Sequence, residues 1–206
     1  MKLLLVLCTC ALAAAYDKAD KDASIKEVTD AGFPPLNAFT HAAFPPKTLS
    51  NFLKKELAML SAPLEHTSKL QMEAIFATVS AANVCEICLS FHAMGMSKEE
   101  NPATQDDIET IVNGGVPKDE RLAGVVTTAK YVLAHKGIFL PREKQHLESA
   151  FGIGAEQRLE IVYLVGAIEA NNRLMVHLLS EGVEIEDFLQ PFTPFKDTVY
   201  ASNEEL

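Results

Sequence analysis

Cys85 and Cys88 are separated by two residues, and three more residues separate Cys88 from His92, in the stretch Cys85-Glu86-Ile87-Cys88-Leu89-Ser90-Phe91-His92. On a helix, side chains three and four positions apart share a face, so these three form one stripe. Two sulfurs at that spacing approach closely enough to oxidise reversibly to a disulfide. A thiolate at the start of a helix is stabilised by unpaired backbone N–H groups and by the helix dipole. A histidine one turn further on can take or supply a proton at neutral pH. Together these are the parts of an activated thiol with a resolving partner. The physics leaves open which thiol attacks. Cys85 stands nearer the helix start, whereas Cys88 is better placed relative to His92.

Glu73 precedes Cys85 on the preceding helical segment, and its neighbours Ala74, Ile75 and Phe76 are apolar. A carboxylate in such company can face the interior, although a solvated helix face is the commoner fate of a lone glutamate. Three other readings of the cysteine pair compete with redox chemistry. A permanent structural disulfide would close a loop so short that it removes little unfolded-state entropy. A metal site would use Cys85, Cys88, His92 and Glu73, without the usual second C-x-x-C or H-x-H element. The third reading is two inert cysteines on a core helix. His41, His66, His135, His146 and His177 show no partner pattern and read as structural or solvated.

The elements that must position these residues are helical. From Ser50 onward, apolar residues such as Phe52, Leu53, Leu57 and Leu60 recur at spacings of three and four, up to Pro63. A second helix is expected over 64–82. A third would be capped by Asn83, with Glu86 three residues later completing a capping box, and would end near Gly95. Thr104 opens a short helix that stops at Gly114-Gly115. A long helix runs over 119–136, Pro141 starts another that ends at Gly152, and the apolar helix 155–180 is closed by Gly182. No segment alternates apolar and polar residues with β-branched enrichment. The expected fold class is therefore all-α, with about seven helices.

Composition narrows the function classes. The chain has 206 residues and a formal net charge of -10, with no Lys/Arg cluster denser than Lys54-Lys55. A surface that follows phosphates needs concentrated positive charge, so nucleic acid is not an expected partner. Residues 1–15 read as a signal peptide, with Lys2 before the apolar run Leu3 to Leu12 and the small residues Ala13-Ala14-Ala15. That run is too short for a permanent bilayer span, so stable membrane insertion is not expected. Cys8 and Cys10 would leave with it, and Cys85 and Cys88 would be the only cysteines kept. The chain is thus expected to enter the secretory pathway. Its last residues, Asn203-Glu204-Glu205-Leu206, weakly resemble a lumenal retrieval signal. Residues 16–49 read as an N-terminal arm with Phe33-Pro34-Pro35 and Phe44-Pro45-Pro46 segments, and 183–206 as a tail.

Glu73, eleven intervening residues, Cys85-x-x-Cys88, three residues and His92 resemble the signature of the alkylhydroperoxidase D and carboxymuconolactone decarboxylase superfamily. Arg121-Leu122-Ala123, Gly166 and Asn171-Asn172-Arg173-Leu174 resemble that family's later helices, so the likeness covers about 50–182. Without it, the Asn and Arg pattern would read as surface or interface polarity. The resemblance implies an all-helical homo-oligomer, often a trimer, without a cofactor or metal. It also implies a thiol-dependent peroxidase in which Cys88 attacks the peroxide, Cys85 resolves the sulfenic acid, and His92 and Glu73 relay protons to Cys88. The partners implied are a peroxide and an external dithiol or thioredoxin-like reductant. An alternative is a thiol–disulfide oxidoreductase acting on proteins, or a non-catalytic member with a structural disulfide. The family's peroxidases carry a histidine immediately before the second cysteine. Here that position is Ile87, so the relay has one member fewer. Family members that act as lactone decarboxylases generally lack the cysteine pair, which argues against that reaction.

Overall fold

A computed structural model describes residues 64–180 continuously, together with residues 22, 23, 25, 26, 30, 51, 54 and 55. The chain divides into two units, Met1–Pro63 and Leu64–Leu206. In the first unit all eight described residues are helical, and Lys26 pairs with Asp30 one turn on. The expected signal segment, both Phe-Pro-Pro segments, His41 and the C-terminal tail lie outside the described residues.

Six helices and no strand are found among the described residues of the second unit. They are α1 (Lys69–Ala82), α2 (Glu86–Lys98), α3 (Gln105–Val112), α4 (Glu120–His135), α5 (Pro141–Phe151) and α6 (Ala155–Ser180). These correspond to six of the seven helices expected. The other, from Ser50, lies mostly outside the described residues, although Asn51, Lys54 and Lys55 are helical. No described helix is long and apolar enough to cross a membrane.

The second unit is built around α1. Ser68 starts this helix with a reciprocal capping box: its hydroxyl accepts from Gln71 N at 3.3 Å, and Gln71 Oε1 accepts from Ser68 N at 2.9 Å. The helix therefore starts about a turn later than the expected Leu64. The residues before Ser68 are held by α6, where Glu160 Oε1 accepts from Glu65 N at 3.0 Å and from His66 N at 3.1 Å. From Met72 to Ser80 every residue of α1 is buried. A helix stretch buried on all sides lies inside a bundle, and α1 packs against α2, α4 and α6. Thr78 tolerates this burial because its hydroxyl donates to Ala74 O at 2.7 Å.

The later helices begin where side chains can satisfy their free N–H groups. Thr104 caps α3 and Asp119 caps α4, both through side-chain oxygens. Asp107 ties these two starts together. It is buried, and its carboxylate accepts from Thr104 Oγ1 at 2.7 Å, Lys118 N at 2.8 Å and Asp119 N at 3.2 Å. Arg121 clasps Asp119 and donates to Asn101 O at 3.2 Å, which pins the loop that leads into α3. Pro141 opens α5 and Gly152 ends it in a left-handed conformation. Leu70, Ala74, Ala77, Leu89, Ala93, Met96, Ile108, Ile111, Leu122 and Val126 form a continuous apolar cluster across α1 to α4.

The polar residues of the unit divide between its interior and its surface. Asn171 and Asn172 are buried within the unit, with Ser80 Oγ donating to Asn172 Oδ1 at 3.2 Å, whereas Arg173 is exposed. His66 and His135 do have partners: Glu156 lies 3.4 Å from His66 Nε2, and Glu143 lies 3.0 Å from His135 Nε2. Each partner comes from a different helix or segment, so no helical spacing announces it.

Candidate active site

The turn between α1 and α2 is very short. Asn83 ends α1, its N–H donating to Val79 O at 3.0 Å, and only Val84 separates it from Cys85, the N-cap of α2. The expected Asn83–Glu86 capping box is therefore not formed, because Asn83 belongs to the end of the preceding helix. Val84 takes φ of 55°, a left-handed conformation that is costly for a β-branched residue. This reversal lets Cys85 N donate back to Ser80 O at 3.0 Å, while Cys85 O accepts the first helical bond from Leu89 N at 2.8 Å. The start of α2 is thereby locked onto the end of α1.

Cys85 and Cys88 are joined by a disulfide, with Cα atoms 5.3 Å apart, a usual separation for such a bond. Cys85 stands just before the helix and Cys88 in its first turn, so the stripe expected from helical spacing begins one residue outside α2. The Cys85 side chain makes no capping bond to the first-turn N–H groups. In the reduced protein, the first-turn N–H groups and the helix dipole would favour negative charge at this end of the helix. The two cysteines differ in access: Cys85 is fully buried, whereas Cys88 retains 8% exposure.

One turn beyond Cys88, His92 is buried and meets Glu73 of α1 across the helix interface, with Nδ1 2.7 Å from Oε2. Glu73 is itself only 4% exposed, so the carboxylate does face the interior. An ionised carboxylate can only accept. With Glu73 ionised and the ring neutral, this contact places the hydrogen on Nδ1 and leaves Nε2 as the basic nitrogen. The ring is held edge-on by Phe76, with centroids 4.9 Å apart, and by Phe91, at 5.4 Å. Lys69, one turn before Glu73, donates to Glu99 at 2.9 Å. That hydrogen bond holds the Lys69 ammonium above its ordinary range, with the charges of Glu99 and Glu73 adding to the effect. The lysine thus joins the start of α1 to the end of α2 and contributes positive charge on the side of the buried carboxylate.

The four residues singled out by spacing are therefore brought together as two bonded pairs, Cys85–Cys88 and Glu73–His92, on the two helices that flank one turn. In this disulfide state the four-ligand metal arrangement is not assembled. No group of three or more His, Cys, Asp or Glu side chains among the described residues could hold a metal ion. Sequence reasoning missed Gly95. It is not the end of α2, which continues to Lys98, but an interior glycine. A Cβ at Gly95 would lie 2.6 Å from Glu73 Cδ and 2.8 Å from its Oε2. The only sequence signal was a glycine interrupting a helical pattern, which can mark either an end or a close approach. Comparisons of the chain with family models, with curated proteins and with solved structures find no match.

Proposed function

We propose that this chain is a thiol-dependent peroxidase of the alkylhydroperoxidase D type, with Cys88 as the attacking sulfur. The observation that carries the reading is the pairing of Glu73 with His92 one turn from a disulfide at the start of a helix. A permanent structural disulfide has no use for a buried histidine–carboxylate pair beside it. A thiol that must lose a proton, and whose leaving group must gain one, does.

The cycle balances as follows. Proton transfer from Cys88 to His92 Nε2 yields a thiolate that attacks the distal oxygen of a hydroperoxide. The O–O bond breaks, Cys88 becomes a sulfenic acid, and the alkoxide or hydroxide leaves with the proton held by His92. Cys85 then attacks the Cys88 sulfur, forming the disulfide and releasing water. Two thiols of an external dithiol restore the pair and become a disulfide themselves. The greater exposure of Cys88 favours it as the sulfur that meets both peroxide and reductant. Ile87 is buried at 2% exposure and can neither carry nor relay a proton, so His92 and Glu73 act without a second histidine. Assembly into a homo-oligomer and delivery through the secretory pathway belong to the same proposal. Substituting Cys88→Ser is expected to abolish peroxide consumption by the reduced protein. Consumption at the unsubstituted rate would overturn the reading.

A further inference from the structure

We infer that Gly95 is a positioning residue for the thiol site, reserving the space in which the Glu73 carboxylate reaches His92. The inference rests on the reading of Cys88 as a reactive thiol only for its functional consequence; its structural part stands alone. Gly95 lies on α2 one turn beyond His92, so its backbone passes under the side chain with which His92 is bonded. A Cβ there would stand 2.6 Å from Glu73 Cδ, 2.8 Å from Oε2 and 3.0 Å from Oε1. The first two distances are shorter than real β-carbon contacts, and the third is tighter than most, so the carboxylate would have to shift. The three nearest atoms all belong to the Glu73 carboxylate, so the closest conflict is with that group.

The atoms in conflict belong to the far end of a flexible side chain. The helix can therefore keep its course while the carboxylate is pushed aside. Gly95 takes no left-handed conformation, and alanine is the better helix former. A β-carbon at this position thus acts on the chemistry before it acts on the fold. Once the carboxylate is displaced, nothing holds the hydrogen on Nδ1, and Nε2 is no longer reserved as the base. Small size at position 95 is a condition of the His92 tautomer.

The test uses the full chain carrying Gly95→Ala, Glu73→Ala or both, with two readouts. The ¹⁵N signature of the His92 ring in the disulfide form reports which nitrogen carries the hydrogen. The rate of iodoacetamide reaction with Cys88 after reduction reports the thiol. Gly95→Ala is expected to lose the Nδ1-protonated signature and to slow alkylation about tenfold, as Glu73→Ala does. The double substitution should be no slower than Glu73→Ala alone. If Gly95→Ala reduces the yield of folded protein, adding Glu73→Ala should restore it by removing the clash. An unchanged ring signature in Gly95→Ala, effects that add in full, or a double variant that stays unfolded would each overturn the inference. Neither readout requires peroxide turnover. An inactive protein with the expected ring response would count against the peroxidase reading and leave the role of Gly95 standing.

Discussion

Replacing Glu73 by glutamine keeps the shape of the side chain and its hydrogen bond to His92 Nδ1 but removes the charge. Glu73 and His92 are 4% and 6% exposed, so water screens their 2.7 Å contact very little. A hydrogen bond to a charged group contributes about 1.5–3 kcal/mol, against about 0.5–1.5 kcal/mol for a neutral one. The bond to Glu73 is already charge-assisted, so what the carboxylate adds as His92 takes the proton from Cys88 is the attraction of opposite charges, taken as an increment of the same order. The difference of about 1–2 kcal/mol then falls on the step that generates the thiolate, slowing it about 5- to 30-fold. Packing should hardly change, because the amide fills the same space over Gly95. Stopped-flow reduction of a hydroperoxide by the pre-reduced Glu73→Gln protein measures the rate, and a thermal melt checks the fold. A rate within about twofold of the unsubstituted protein, with the melt unchanged, would refute the idea that Glu73 acts by stabilising a charged His92.

Two predictions concern the frame that holds the site. Asp107→Ala strips three accepted bonds from the starts of α3 and α4, leaving the Lys118 and Asp119 N–H groups short of a partner. Denaturant unfolding should show a loss of about 3 kcal/mol. The hydrogen bond from Arg121 holds the Asp119 carboxyl below its ordinary value of 3.8. Its stabilising effect is therefore complete above the unfolded value and is lost as pH falls through the lower folded value. Because the pair is partly exposed and screened, the expected change in stability is no more than about 1 kcal/mol. Asp119→Asn, which keeps an N-cap acceptor, should flatten that part of the pH dependence in denaturation curves recorded between pH 6 and 2.

Much of this arrangement was legible in the sequence because it depends on local chemistry. Thr104, Asp119, Pro141 and Gly152 each start or stop a helix by satisfying or releasing backbone groups within a few residues, and the structure places those ends where the residues imply. The apolar neighbours of Glu73 allowed an interior carboxylate without requiring one, and a solvated helix face was the commoner expectation; the packing of α1 buries it. The misreadings arose where tertiary context overrides local pattern. Asn83 and Glu86 have capping-box spacing, but Asn83 was already engaged in ending α1, and Val84 makes the turn in a conformation no propensity favours for valine. Gly95 looked like a helix end because a glycine in a helical pattern says nothing about what approaches it from another helix. Asn171 and Asn172 would read as surface or interface polarity from their pattern alone, because only the packed position of α6 reveals that they lie inside. The pairing of Glu73 with His92 lies between these cases. Spacing nominated both residues, but only the sharp α1–α2 turn brings them to hydrogen-bonding distance.

The most direct test of the central claim is hydroperoxide consumption by the reduced protein with a dithiol as electron source, with free thiols counted before and after. The account predicts catalytic turnover, conversion of both thiols to the Cys85–Cys88 disulfide when the dithiol is withdrawn, and no turnover in Cys88→Ser. Thiols that cycle with disulfides but leave peroxide untouched, or peroxide consumption that survives Cys88→Ser, would contradict it.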